Sequence, residues 1–263
     1  MTGIAISVIV LAADRGPNDP LAVRAGVPGK VLVEIAGKTM LARVMETVSD
    51  FVAHGQFIIV CRDDPAYAQA ADMGREFQRV EPGSGPAASA AAAMNRIDPA
   101  KPVLLVTGDH PLLQPAWLEQ FVARADASGA DAVVGLVDHA AIVARFPDSR
   151  RTRYRFSDVS VCGTNLFYFA GLRGRAVVEQ WRVFEAHRKK PWKIVARLGL
   201  WNLLRYLAGR LSLAAAMGAL SRRMGFRLSA VMLDAPEAAI DVDSQADLQL
   251  VTGLIERRER DRT

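Results

Sequence analysis

Two carboxylate positions and one lysine stand where this sequence could do phosphate chemistry. Asp109 follows directly on the apolar run Pro102–Thr107, in Thr107-Gly108-Asp109-His110-Pro111. A carboxylate at the carboxyl end of a buried strand projects into the crevice where α/β proteins hold ligands. It is also the kind of oxygen donor that magnesium on phosphates takes. The same place suits a turn or capping aspartate, with His110-Pro111 shaping the turn. Asp241 and Asp243, in Ile240-Asp241-Val242-Asp243-Ser244, offer a second carboxylate after another apolar strand. Ser244 has the spacing of an N-cap, with Asp247 at the third helical position as in a capping box. Asp243 then precedes the helix and is free to face a ligand; otherwise it is a solvated loop residue. Lys30 ends the long loop that follows the first apolar run. A lysine beside a glycine there can neutralise charge growing on a leaving pyrophosphate. Arg15 and Arg24, in the same loop, are the other candidates for that work, and each of the three could instead be a solvated surface charge.

These residues need elements to hold them. Ile4–Ala13 is almost wholly apolar and rich in β-branched residues, which predicts a buried strand. Asp14–Gly29 has the Gly, Pro, Asn and Asp of a loop. Val31–Ile35 is a second short apolar run, and helical spacing begins near Met40 and runs to Ala53. Strands are expected at Gln56–Cys61, Phe77–Val80, Pro102–Thr107 and Ala130–Leu136. Helices are expected at Pro65–Met73, Ala87–Asn95 and Trp117–Ala127. This alternation indicates an α/β fold: a doubly wound, mainly parallel, Rossmann-like sheet. Ser149–Phe156 reads as an exposed basic loop and Ser160–Phe169 as a strand. Arg173–Phe226 reads as mostly helical with a break at Lys190-Pro191. A strand, Arg227–Leu233, a last helix, Gln245–Glu256, and a frayed tail from Arg257 complete the chain.

Composition narrows the function. A chain of 263 residues, 51% hydrophobic, suits one large α/β domain over 1–263. No run approaches the ~18 apolar residues of a membrane span, and no basic-then-apolar leader opens the chain. Cys61 and Cys162 lie in apolar runs and form no CxxC, which favours buried reduced thiols and a cytoplasmic location. The net charge of +5 is uneven. Residues 171–227 hold 13 Lys and Arg against two Glu, a local +11, which leaves −6 on the rest. That stretch is expected to be a basic, mostly helical insertion near the C-terminus. Gly83-Ser84-Gly85-Pro86-Ala87-Ala88 fits a dinucleotide fingerprint in form, but it follows the third apolar element and carries Pro86, so it reads as a turn. No Walker A, HExxH or GxSxG pattern occurs, and four scattered histidines argue against zinc.

Taken in order, Leu11-Ala12-Ala13, Lys30, Ile35-Ala36-Gly37-Lys38-Thr39-Met40-Leu41, the Gly83–Ser89 turn, Thr107–Leu113 and Asp241–Leu248 resemble the MobA-like nucleotidyltransferases and sugar-phosphate pyrophosphorylases. The resemblance covers roughly 4–136 and 231–255. It implies a GT-A-like fold and a reaction that joins an NTP, CTP or GTP, to a small phosphorylated acceptor (a sugar, polyol or cofactor phosphate) with release of pyrophosphate. It implies that Leu11, Ala12, Ala13, Asp14, Arg15 and Lys30 hold the triphosphate, and that Gly85, Pro86, Ala87 and Ser89 meet the base or ribose. It further implies that Asp109 and Asp243 bind Mg2+, making Lys30, Asp109 and Asp243 the catalytic set. The chain departs from the family where Asp14 replaces a glycine and a longer loop precedes Lys30, which leaves open which arginine serves the phosphates.

The acceptor side is expected at Asn165, Arg188, Lys189 and Lys190, in and beside the basic stretch. That stretch could instead be a packed helical subdomain, a homodimer contact, or an interfacial helix peripheral to the anionic inner face of a membrane, helped by Trp192 and Trp201. Nucleic acid is not an expected partner, because no recognition module is visible. The alternatives to nucleotidyl transfer are a GT-A glycosyltransferase using a nucleotide-sugar, and a non-catalytic nucleotide-binding or membrane-associated module. Against the first, the central strand ends in Gly108-Asp109-His110 rather than Asp-x-Asp, and Asp241-Val242-Asp243 lies late in the chain.

Overall fold

The structure, a computed structural model, describes residues 6–13, 18–51, 55–185 and 199–261. Asp14, Arg15, Arg188, Lys189, Lys190 and Trp192, and the break expected at Lys190-Pro191, lie outside the described residues.

The apolar runs form the strands they predict: β1 (Ser7–Leu11), β4 (Phe57–Val60), β5 (Gln78–Val80), β6 (Val103–Thr107), β7 (Ala132–Asp138), β9 (Ser160–Phe169) and β10 (Leu228–Met232). Two short strands, β2 (Glu34–Ile35) and β3 (Lys38–Thr39), make a separate antiparallel pair. The main sheet has the order β10-β7-β9-β6-β1-β4-β5, and β8 (Tyr154–Arg155) pairs with β9. All its ladders are parallel except those made by β9, which runs against β6, β7 and β8. The expected doubly wound, mainly parallel α/β sheet is thus present.

Both faces of the central strands are covered, which is why their sequences are apolar without alternation. On β1, Val8 and Val10 face a core with Val44 and Val48 of α2 (Met40–Phe51), Phe121 of α5 (Pro115–Ala127) and Val251 and Ile255 of α10 (Gln245–Arg260). Ile9 and Leu11 face the opposite core, with Ala90 and Ala93 of α4 (Pro86–Met94) and Val178 of α7 (Gly171–Glu185). Among the described residues no helix is long and apolar enough to cross a membrane. Both cysteines are buried and free.

Several expectations are corrected. The Asp14–Gly29 loop contains a helix, α1 (Pro20–Ala25): Asp19 Oδ1 accepts from the amides of Leu21 and Ala22, and Gly26 ends it at φ 67°. Asp19-Pro20 is a helix-start pair that the loop-like composition concealed. A further short helix follows α3 (Pro65–Ala71) later in the chain: α6 (His139–Arg145), capped by Asp138 and absent from the sequence reading. The last helix continues to Arg260, beyond the expected end at Glu256. Ser149–Phe156 is not simply exposed: Arg151 points inward, its side chain 9% exposed.

The basic stretch leaves the sheet after β9 and returns at β10, through α7, α8 (Leu200–Leu207) and α9 (Leu213–Met224). Both of its ends meet one buried carboxylate. Asp131 Oδ2 accepts from Arg173 Nε at 3.1 Å and from the Arg227 amide at 2.7 Å. The Asp131 amide in turn donates to the Arg227 carbonyl at 2.7 Å.

Candidate active site

The register of the parallel strands aligns the carboxyl ends of β1 and β6, pairing Leu11 with Thr107. The Gly108 amide donates to the Leu11 carbonyl at 2.8 Å, and the Ala12 amide to the Val60 carbonyl at 2.9 Å. A Cβ on Gly108 would come within 3.3 Å of both Ala12 Cβ and Val31 Cγ1. Its absence lets the turn carrying Asp109 close on the turn carrying Lys30. That second turn is a 3-10 helix, Lys30–Leu32, buried along its whole length. From the far end of the chain, the Val242 amide donates to the Asp109 carbonyl at 3.0 Å and brings the Asp241–Asp243 segment alongside.

The three expected groups converge. Lys30 Nζ donates to Asp109 Oδ2 and to Asp243 Oδ1, each at 2.7 Å. Lys30 and Asp109 are buried side chains, 11% and 17% exposed, and Asp243 lies at the mouth at 55%. Burial alone would favour loss of the Lys30 proton, but the charges of Asp109 and Asp243 and its hydrogen bonds to both outweigh it and raise its pKa. Burial likewise opposes ionisation of Asp109; the charge of Lys30 and its hydrogen bond prevail and hold that carboxyl below the usual range. His110, beside it, is buried and pushed down to about 4 by that burial, so its ring is neutral; Nε2 faces the Glu237 carbonyl at 3.4 Å. Asp243 precedes the helix and is ion-paired with Lys30. Ser244 does cap α10, accepting from the Asp247 amide at 3.2 Å.

Two residues of the site went unassigned in the sequence. Asp241 joins Asp109 and Asp243, the three offering oxygens within 4.8 Å of one another. The alternation Asp241-Val242-Asp243, with Val242 fully buried, puts both carboxylates on one side, and that period of two was the available signal. Arg151 is the other. Its Nη1 bonds Asp241 Oδ1, and its Nη2 donates to the Asp241 carbonyl at 2.9 Å and to Asp247 Oδ1 at 2.6 Å. Nothing in its basic loop sequence distinguished it from Arg150 or Arg153. Burial, then the charge of Asp109, pushes Asp241 above the usual carboxylate range against the pull of Arg151.

Asn165 also serves this cluster. The β7–β9 register shifts between Val134 and Leu136, and Asn165 takes φ 56° there. The irregularity lets Asn165 Nδ2 donate to Asp241 Oδ2 at 2.9 Å, a strained, sparsely populated backbone state placed beside a polar site.

The expected nucleotide turn is built as a turn. Gly83 packs so closely on the start of α4 that a Cβ would lie 2.7 Å from Ala88 Cβ. Its amide donates to the buried Ser89 Oγ at 3.0 Å, so that hydroxyl holds the turn itself. Gly85 caps α4, with Pro86 first in the helix and Ala87 buried beneath it. Leu11 and Ala12 are buried and Ala13 is partly exposed at the end of β1. Arg24 Nη1 donates to Gln245 Oε1 at 3.3 Å, linking the first loop to α10.

The carboxylates fit a divalent cation. Their donors are hard oxygens within a few ångströms of one another, and Asp109 Oδ1, the oxygen Lys30 does not take, is buried without a well-formed hydrogen bond.

A mixed, doubly wound sheet with a lysine and carboxylates at its carboxyl edge defines a class of α/β nucleotide-handling enzymes. The MobA-like NTP transferase domain matches residues 8–222, and the chain belongs to that family of nucleotidyltransferases. No curated protein matches it. Among solved structures, a hypothetical transferase from Thermus thermophilus is similar at 27% identity and TM-score 0.77, over 93% of this chain and 100% of that one. A 4-diphosphocytidyl-2C-methyl-D-erythritol synthase from Anaerococcus prevotii shares the fold at 16% identity and TM-score 0.55, covering 97% and 99% of the two chains. A CMP:2-keto-3-deoxy-manno-octonic acid synthetase complexed with CTP shares it at 18% identity and TM-score 0.56, covering 96% and 99%.

Proposed function

We propose that this nucleotidyltransferase joins CTP or GTP to a small phosphorylated acceptor and releases pyrophosphate. The observation that carries the reading is the single ammonium of Lys30 held between Asp109 and Asp243 at the carboxyl edge of the sheet. An acceptor phosphate oxygen attacks the α-phosphorus of the NTP in line. The bond from that phosphorus to the bridging oxygen breaks, and pyrophosphate departs with the electron pair. Lys30 meets the charge that grows on the departing group, and the end of β1, Leu11 to Ala13 with Asp14 and Arg15 beyond, borders the triphosphate. The Gly85–Ser89 turn meets the base or ribose. Asp109 and Asp243 would hold a Mg2+ ion, which supplies charge neutralisation on the phosphate oxygens when bound. Arg151 and Asn165 position Asp241 and, through it, the segment carrying Asp243. Catalysis is then orientation and charge, with no covalent enzyme intermediate.

The acceptor is assigned as a phosphate because two anionic reactants repel, and the +11 stretch on a −6 body offsets that repulsion. Arg188, Lys189 and Lys190 belong to that stretch and are proposed on its acceptor side, with Asn165. The buried thiols accord with a cytoplasmic location, which is part of the proposal. Pyrophosphate release, measured for four NTPs against a panel of sugar, polyol and cofactor phosphates, tests it. Turnover with one NTP and a phosphorylated acceptor, dependent on Mg2+, is the expected result. Turnover with non-phosphorylated acceptors alone would remove the acceptor assignment.

A further inference from the structure

Helix α8 turns an apolar face outward. Leu200, Trp201, Leu204 and Leu207 are 71%, 72%, 49% and 66% exposed. At helical spacing these four share one arc, while Leu203 and Tyr206 on the other side pack on Phe156 and Leu211. Four large apolar side chains side by side in the open mark an interaction surface. The surroundings say of what kind. Arg155 and Arg210 are exposed and directly precede Phe156 and Leu211, on which the inner side of the helix packs; Arg153 is exposed two residues before Arg155, and Arg205 flanks the arc. A second copy of this chain would set like charge against like charge. An apolar protein partner would leave the arginines without a counter-charge. A sheet of phosphates over hydrocarbon satisfies both features at once, with leucines and tryptophan below the headgroups and guanidinium groups among them.

We propose that α8 is a docking surface for an anionic lipid bilayer, lying in the plane of the interface with Leu200, Trp201, Leu204 and Leu207 inserted. The contact is peripheral, since no described helix can span a membrane. The inner side of α8 packs on the segment that follows Arg151. Arg151 grips Asp241 and, a few residues on, Phe156 packs against Tyr206 of α8 with ring centroids 6.2 Å apart. The inference does not depend on which nucleotide or acceptor the enzyme uses.

The test is co-sedimentation of the full chain with phosphatidylcholine vesicles, with and without phosphatidylglycerol. Binding is expected only to the anionic vesicles, and it should fall steeply as NaCl rises from about 0.1 M to 1 M. The double variant Leu204→Asp/Leu207→Asp should lose binding while its melting temperature stays at the wild-type value. Arg153→Glu/Arg155→Glu should bind about tenfold more weakly or worse. The Trp fluorescence of the parent should shift to the blue on binding, and Trp201→Phe should remove that shift. Wild-type protein left in the supernatant with anionic vesicles overturns the proposal. So does a Leu204→Asp/Leu207→Asp protein that still binds. A large drop in melting temperature for that variant would mean that the chain itself covers the face. Concentration-dependent dimers abolished by the same variant, without vesicle binding, would assign the face to a second copy.

Discussion

Lys30 Nζ lies 2.7 Å from Asp109 Oδ2, and the same ammonium lies 2.7 Å from Asp243 Oδ1. The two carboxylates come from the middle and the far end of the sequence, and the lysine is ion-paired with both. Replacing it should therefore have two effects. Lys30→Ala should lower kcat by about a hundredfold or more, the scale of losing one charged donor at a departing oxyanion, with a smaller change in KM for the NTP. It should also leave Asp109 buried without its cation, so the carboxyl of Asp109 should titrate at higher pH than in the parent. A Lys30→Ala enzyme with unchanged kcat would contradict the role assigned here.

Arg151 should prove a stability residue as well as a positioning one. Its guanidinium is the cation for Asp241 and Asp247, whose side chains are 22% and 14% exposed. Breaking such a buried pair from one side costs about 3–5 kcal/mol, because a carboxylate is left uncompensated. Arg151→Ala should lose stability on that scale in urea unfolding, and adding Asp241→Asn should restore part of it. Additive effects of the two changes would show that the pair is not coupled.

Asp131 supplies a pH signature far from the carboxylate cluster. Burial opposes its ionisation, but the Arg227 amide and the Arg173 and Arg227 guanidinium groups prevail and hold its pKa below the usual value. Both guanidinium groups are more than half exposed, so solvent weakens them and the 2.7 Å amide bond carries most of the effect. A folded pKa below the unfolded one gives stability that is present above the unfolded value, about 4, and is lost as pH falls through the folded value. Asp131→Asn should therefore cost about 1–3 kcal/mol at pH 7. The gap to the parent should close as the pH is lowered below about 4. A gap independent of pH would contradict the ionised pairing.

Much of this was legible in the sequence because two kinds of signal agree. Short, fully apolar, β-branched runs such as Val8–Leu11 and Val103–Val106, bounded by turn residues, favour strands covered on both sides, and turn residues follow them where ligands gather. Asp109, Asp243 and Lys30 could be picked out on that basis. The reversed direction of β9 could not, since an apolar strand looks alike in either direction. Helix α1 was hidden by a loop-like composition around its cap. Arg151 was hidden because burial of one arginine among four in a basic loop depends on Asp241 and Asp247, about ninety residues away. Asp241 stood beside Asp243 as a second carboxylate but was not assigned to the site, although its alternation with buried Val242 marked it.

The metal assignment is tested by Asp109→Asn and Asp243→Asn. Each removes a charged oxygen ligand while keeping the side-chain shape, so each should abolish most Mg2+-dependent turnover in a protein that still folds. Asp243→Asn, at the exposed mouth, should be the milder of the two in stability. Near wild-type rates for both variants at the same Mg2+ concentration would remove the site from the reaction.

The central claim is that the α-phosphate moves to the acceptor and the other two phosphates leave together. Following radiolabel placed at the α-phosphate and, separately, at the γ-phosphate of the productive NTP measures this directly. The account predicts α-label in the acceptor product and γ-label in pyrophosphate, formed in equal amounts. Label at γ appearing as orthophosphate, or α-label remaining in a free nucleoside mono- or diphosphate, would contradict it.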